Sequence, residues 1–330
     1  MSDYNVIRGL RIKYLSADPA NPEDGQVWYN STTGNLRVSA ILGTGAWASG
    51  GNLNTGRVGN SGFGTQTAAV TLGGYPPYAA VEEYNGSTWT SVTSISPGLD
   101  SAGTCGTQTQ GLIFGGQTPG GPNATATLKY NGTSWTSAGS LNTARRDLIG
   151  AGTQTAALAS LGAVDPPFTT ATEEYDGSSW TSVNNANTAR RSAAGGGTQT
   201  SALACGGFGA PGTPPAAYQT ATESYNGTTW TNVTSLPSSR GILGGGGTSN
   251  SDFLAYGGYN GSSYLATTDS WNGSSWTAAN SLAVARATKM SLPSASAGAQ
   301  LYAGGNPNPA GYAATEEFTI PVGTANITSS

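Results

Sequence analysis

A chain of 330 residues with 50 Gly and 17 Pro is not built mainly of helices, because both residues weaken helix interiors. Charged residues make up only 9%, about a third of the usual share, and the net charge of −4 leaves no basic field to hold a nucleic-acid backbone. There is no His, which removes the catalytic triads, acid–base pairs and most metal sites that use imidazole, whereas 8 Trp, 15 Tyr and 6 Phe supply the aromatic mass of a folded β protein. Cys105 and Cys205 stand among small apolar residues in no metal-ligand spacing, and no apolar run reaches the roughly eighteen residues of a membrane span. No metal, cofactor, nucleic-acid partner, membrane insertion or export signal is expected.

In chain order, the first predicted element is a β-hairpin in DGQVWYNSTTGNLRV, alternating around a turn at Thr33 and Gly34. Trp28, Tyr29, Leu36 and Val38 form its expected apolar face. An isolated two-stranded hairpin is marginal in water, so that face is expected to dock on another protein or on a second copy of this chain. Residues 1–44 are assigned to this anchoring arm.

From residue 45 onward the chain repeats. Trp recurs at 47, 89, 135, 180, 230 and 276, and five of these stand five residues after an aromatic: Tyr84, Tyr130, Tyr175, Tyr225 and Trp271. An apolar run ending in Gly-Gly recurs between them, with Leu161-Gly162 in the third repeat. Each unit predicts four short strands a, b, c and d, with Asn-Gly or Asp-Gly at the c–d turn as the signal of a type I′ hairpin. Four antiparallel strands every 42 to 50 residues describe a propeller blade. Trp47 lacks strands a to c ahead of it, while the last repeat, about 287–320, lacks a Trp. Pairing the two defects closes six blades over 45–320 and leaves 321–330 as a polar, extended tail.

Gly-Gly, Tyr, Trp five residues later and Arg ten beyond it resemble the kelch repeat, over roughly residues 46–320. That resemblance implies an all-β, six-bladed kelch-like propeller closed by an N-terminal strand. GLRIKYLSADPANPEDGQVWYNSTTGNLRV is similar to leader segments of virion structural and tail-fibre proteins of marine bacteriophages. It implies a non-enzymatic virion protein, assembled in the host cytoplasm, whose partners are other virion proteins or copies of itself, with host-surface attachment as a further role.

The b–c loops vary among the repeats, whereas the c–d turns scarcely change, so variation gathers on one face. Tyr78, Phe168, Tyr218, Tyr264 and Tyr312 stand in these loops, where they could stack on sugar rings, build a protein interface or simply pack loops against neighbours. Arg57, Arg145, Arg190, Arg240 and Arg286 lie on the same face. Their expected partners are Glu82, Glu173, Glu223, Asp269 and Glu316, because the second repeat lacks both members at once and has Leu99 and Leu128. The series therefore predicts structural ion pairs within each blade in preference to a ring that attracts an anionic glycan. Glu82-Glu83, Glu173-Glu174 and Glu316-Glu317 are adjacent on strands, so their side chains point to opposite faces and cannot act together as acid and base. The rivals to a virion assembly protein are a glycan-binding receptor module, a polysaccharide depolymerase and a cellular kelch-type scaffold.

Overall fold

The computed structural model describes residues 12–19, 26–41, 43–75, 78–165, 167–209, 218–306 and 313–327. Among them are strands and no helix. The chain begins with β1 (Lys13–Leu15), β2 (Val27–Asn30), β3 (Asn35–Ile41) and β4 (Ala46–Ser49). Sheet 1 follows as β5 (Ser61–Thr65), β6 (Ala68–Leu72), β7 (Val81–Tyr84) and β8 (Trp89–Val92). Sheet 2 is β9 (Gly103–Thr107), β10 (Gln110–Phe114), β11 (Thr127–Tyr130) and β12 (Trp135–Ala138). Sheet 3 is β13 (Ile149–Gly152), β14 (Ala157–Ser160), β15 (Thr172–Tyr175) and β16 (Trp180–Val183). After β17 (Arg190–Arg191), sheet 4 takes β18 (Ala194–Thr198) and β19 (Ser201–Cys205), then, past β20 (Phe208–Gly209), β21 (Thr222–Tyr225) and β22 (Trp230–Val233). Sheet 5 is β23 (Gly244–Ser249), β24 (Asp252–Tyr256), β25 (Thr268–Trp271) and β26 (Trp276–Ala279). The last strands are β27 (Ala299–Ala303), β28 (Thr315–Thr319) and β29 (Val322–Asn326). Sheets 1 to 5 are four-stranded and antiparallel, an arrangement consistent with a β-propeller.

The chain divides into two units, Met1–Gly45 with Ile320–Ser330, and Ala46–Thr319. The first corrects two expectations. The leader is a four-stranded sheet ordered β1-β2-β3-β29, because the C-terminal segment runs antiparallel to β3 from Val322 opposite Ile41 to Asn326 opposite Arg37. Residues 322–326 of the expected tail, 321–330, are thus a strand of this sheet, and residues 328–330 lie outside the described residues. Nor do the four named leader residues share a face. Tyr29 pairs with Leu36 and Val27 with Val38, whereas Trp28 pairs with Arg37 on the opposite side, since successive strand residues alternate. Trp28 is fully buried and donates its indole N–H to Asp18 at 2.9 Å.

In the second unit the Tyr-x4-Trp spacing is a cross-strand pair. Tyr84 lies opposite Trp89 with ring centroids 4.9 Å apart, and the equivalents in sheets 2 to 5 stack at 4.5 to 5.2 Å. That register leaves four residues for the turn, so it is not the expected two-residue type I′. Gly86 alone takes a positive φ of 89°, while the Asn85 carboxamide oxygen accepts the amides of Ser87 and Thr88. β4 pairs with β28 antiparallel, and Trp47 meets Phe318 in the same way, with centroids 5.2 Å apart.

Side chains also tie each sheet to the one before it. The Gln of each TQT turn donates to backbone of the preceding sheet: Gln108 to Tyr84, Gln154 to Tyr130, Gln199 to Tyr175 and Gln66 to Phe318. Trp180 donates to Thr127, Trp230 to Thr172, Trp89 to Thr315 and Trp47 to Thr268. Tyr130, Tyr225 and Tyr84 donate their phenolic hydroxyls to Glu83, Glu174 and Glu317. These bonds account for the second Glu of the repeated Glu-Glu. Sheet 2 has Lys129 in its place. There the Tyr175 hydroxyl has no partner among the described residues, and the Lys129 ammonium sits 5.7 Å from the Tyr175 ring centre.

Sheet 6 departs from the expected four strands, having only β27-β28-β4. Where its strand a was expected, residues 288–296 leave the sheet and meet sheets 3 to 5. Pro293 O accepts the Gly197 amide at 2.8 Å, Ser294 donates to Gly152 O at 2.7 Å, and the Lys289 ammonium donates to Leu148 O at 3.1 Å. Gly246 explains why glycines crowd the inner strands: a Cβ there would fall 2.1 Å from Leu292 O. Two buried side chains replace the missing strand pairing. Gln300 donates to Ala295 O and Ser296 O, and the Tyr302 hydroxyl bonds both backbone groups of Thr288.

Candidate functional site

The five arginines of the repeat each lie against the acid of their own sheet. Arg145 reaches Glu173 at 2.8 Å, Arg240 reaches Asp269 at 2.6 Å and Arg286 reaches Glu316 at 3.1 Å; Arg57 and Arg190 pair with Glu82 and Glu223. All ten are buried. The carboxylates are further satisfied by backbone amides, as when Glu82 accepts Asn54 N at 2.7 Å and Glu223 accepts Asn187 N at 2.6 Å. Burial pushes the Arg57, Arg145 and Arg286 guanidinium groups below their ordinary value, and the paired acid offsets part of that. In sheet 2, Leu99 and Leu128 are buried in one apolar cluster. These arginines are sealed inside the protein, away from any ligand.

The residue after each of these positions has a different fate. It bridges the residue following Gly-Gly: Val58 to Tyr75, Asp100 to Gln117, Arg146 to Ala163, Arg191 to Phe208, Gly241 to Tyr259 and Ala287 to Asn306. One residue further on, backbone bonds pass from sheet to sheet, Ser101 N to Gly59 O, Asp147 N to Ser101 O, Ser192 N to Asp147 O and Ile242 N to Ser192 O, at 2.8 to 3.0 Å. Residues of five of the six bridges, with Ile242, line a cavity of about 410 Å3.

Charge in this cavity centres on Asp147, which is buried and faces Arg191 Nη1 at 3.0 Å, Arg146 Nε at 3.7 Å and Lys289 Nζ at 3.7 Å. Burial alone would raise the Asp147 carboxyl, but Lys289 and Arg191 overcome it and hold the acid below its ordinary value. Burial drives the Lys289 ammonium down to about 8, against the pull of Asp147. Asp100, on the same wall, is pushed up by burial and by Asp147. Arg146 also pairs with Asp165. Arg191 lies over two aromatic rings, 5.4 Å from the Phe168 centre and 5.7 Å from that of Phe208.

Of the loop aromatics, Phe168, Tyr218 and Tyr264 join a continuous arc that reaches the cavity through Phe208 and Tyr218. Phe168 stacks with Phe208 at 6.1 Å, Phe208 with Tyr218 at 5.2 Å, Tyr218 with Tyr259 at 5.5 Å and Tyr259 with Tyr264 at 5.0 Å. Tyr78 instead packs on Tyr75 at 5.4 Å. Tyr312 lies outside the described residues. Phe208, Tyr259, Arg146, Asp147, Arg191 and Lys289 escaped the sequence reading. For Arg146, Arg191, Phe208 and Tyr259 the signal was available, since the positions just after the repeated Arg and just after Gly-Gly change chemistry from repeat to repeat. Beyond the Glu-Glu pairs weighed in the sequence, a different pair of carboxylates, Asp100 and Asp147, comes from different sheets to one cavity.

No protein-family model matches the chain, and no curated protein matches it. Among solved structures, one described as "Structure of YjhT" is similar with a TM-score of 0.66 at 15% identity, over 84% of this chain and 99% of that one. The likeness carries the fold alone, an all-β architecture of β-propeller type.

Proposed function

We propose that the larger unit is a six-bladed, kelch-type propeller closed by β4 in the last blade, and that the chain is a non-enzymatic virion structural protein of a bacteriophage. On this reading the leader sheet attaches the chain to other virion proteins or to copies of itself, and the face bearing the b–c loops is turned toward a host-surface glycan or receptor. Closure is supported by the Trp47–Phe318 pair and by Gln66, Trp89 and Tyr84 reaching sheet 6 with the bonds their equivalents make elsewhere. The observation that carries attachment is exposure in the small unit. Ile12, Tyr14 and Ile327 are 42%, 77% and 44% exposed, three of the five large apolar side chains exposed among the described residues. Mass spectrometry of purified particles tests the reading, comparing the full chain with one reduced to residues 46–319. The full chain is expected in particles and the reduced one is expected to be missing; incorporation of the reduced chain at full copy number would refute the anchor.

One observation favours a second reading. Asp100 and Asp147 line one cavity with their proton affinities pushed apart, which is how paired carboxylates divide acid and base roles. A polysaccharide depolymerase would then lose turnover in Asp100→Asn, whereas on the primary reading no polysaccharide is cleaved by either form.

A further inference from the structure

We infer that the cavity around Arg191 binds a single carboxylate-bearing sugar residue, of the size and chemistry of a uronic acid. The inference rests on the proposed attachment reading, for which it names the ligand of the loop-bearing face. The acid is called for by the state of Arg191. Its Nη1 donates to Asp147, while its Nε is buried with no partner among the described residues. Its side chain is 34% exposed beside the rings of Phe168 and Phe208, and a guanidinium with N–H groups to spare matches a carboxylate. Arg146 has Asp165 as its own partner, and Arg191 shares Asp147 with Lys289.

The body of the ligand follows from the rest of the wall. A sugar ring has apolar C–H faces and hydroxylated edges. The cavity pairs the rings of Phe208 and Tyr218 with the amide groups of Gln117 and Asn306 and the hydroxyls of Ser101 and Ser192. A volume of about 410 Å3 lies in the range of small-ligand sites. A neutral sugar would leave the spare guanidinium N–H groups without an anion, which costs affinity.

Calorimetric titration of the full chain with sodium D-glucuronate, D-glucose and sodium acetate tests the inference. Glucuronate is expected to bind saturably at one site per chain, with glucose and acetate each at least tenfold weaker. Arg191→Leu should weaken glucuronate at least tenfold, and Arg191→Lys, which keeps the charge but loses the fork, should also fall short of the native affinity. Melting curves of both variants confirm that each is folded before titration. Absence of glucuronate binding, glucose binding equally well, or native affinity in folded Arg191→Leu would each overturn the inference. None of these outcomes bears on whether the chain is carried by particles, which the particle composition decides separately.

Discussion

Arg190 and Arg191 are neighbours in one chain and belong to different regions with opposite physics. Arg190 is buried against Glu223 with no access to solvent, in a position that four other repeats fill with the same pair. Arg191 is one residue on, at the mouth of a cavity, in a position filled elsewhere by Val58, Asp100, Arg146, Gly241 and Ala287. What recurs among the repeats holds the sheets together. What varies at the same spacing lines the cavity everywhere but at Gly241, so repetition and its failure separate scaffold from site without any second sequence.

The largest expected effect breaks the scaffold side. Arg190→Leu leaves Glu223 charged and buried without its partner, and should cost about 3–5 kcal/mol in denaturant unfolding. Adding Glu223→Leu should recover most of that loss, because sheet 2 already carries Leu99 and Leu128 in these places. Equal destabilisation in the single and double variants would show that the pair is more than a replaceable bridge.

Next comes the pH response of the cavity. Lys289 titrates near 8 in the folded chain against an ordinary 10.5, so between these values the unfolded chain holds more protons and stability rises with pH. The burial penalty is fully present below about 8. The rise should be on the order of 1 kcal/mol by pH 9, before unfolded tyrosines ionise appreciably, and should vanish in Lys289→Met. A flat profile in the native chain would mean that the ammonium is better solvated than its surroundings indicate. Gly246→Ala probes the crossing segment at similar scale, since its Cβ would meet Leu292 O at 2.1 Å and should cost about 1–3 kcal/mol on melting.

The smallest effect compares two tyrosines. Tyr84→Phe removes a hydroxyl that Glu317 accepts and should cost about 1 kcal/mol, whereas Tyr175→Phe removes one without a partner among the described residues and should be close to neutral. Equal losses would show that the tyrosine–glutamate bonds contribute little between sheets.

How far the sequence speaks depends on whether a feature is repeated. The Tyr84–Trp89 stack is legible because every unit restates it at the same spacing, and Arg57 can be matched to Glu82 because sheet 2 lacks both together. Features that occur once give no such signal. Nothing in the polar stretch after Pro321 marks β29 as the partner of β3, since strand pairing depends on residues almost three hundred positions away. The segment KMSLPSASAG carries no sign that it leaves its sheet; only the buried Gln300, where sheets 1 to 5 have Ala69, Gly111, Ala157, Ala202 and Phe253, marks a local exception. Asp147 and Lys289 come together only in three dimensions, from positions 142 residues apart. The division of the leader was accessible in principle, because adjacent Trp28 and Tyr29 on one strand must face opposite ways.

The proposed closure of the larger unit by β4 is the central claim, and a disulfide tests it directly. Ala46 and Thr319 face each other across the β4–β28 ladder, and both are exposed. In a chain carrying Ala46→Cys and Thr319→Cys, mild oxidation should give an intramolecular disulfide in the monomer, identified by peptide mass mapping, and a raised melting temperature. A chain that stays reduced when folded, or that links only between molecules, would contradict the closure.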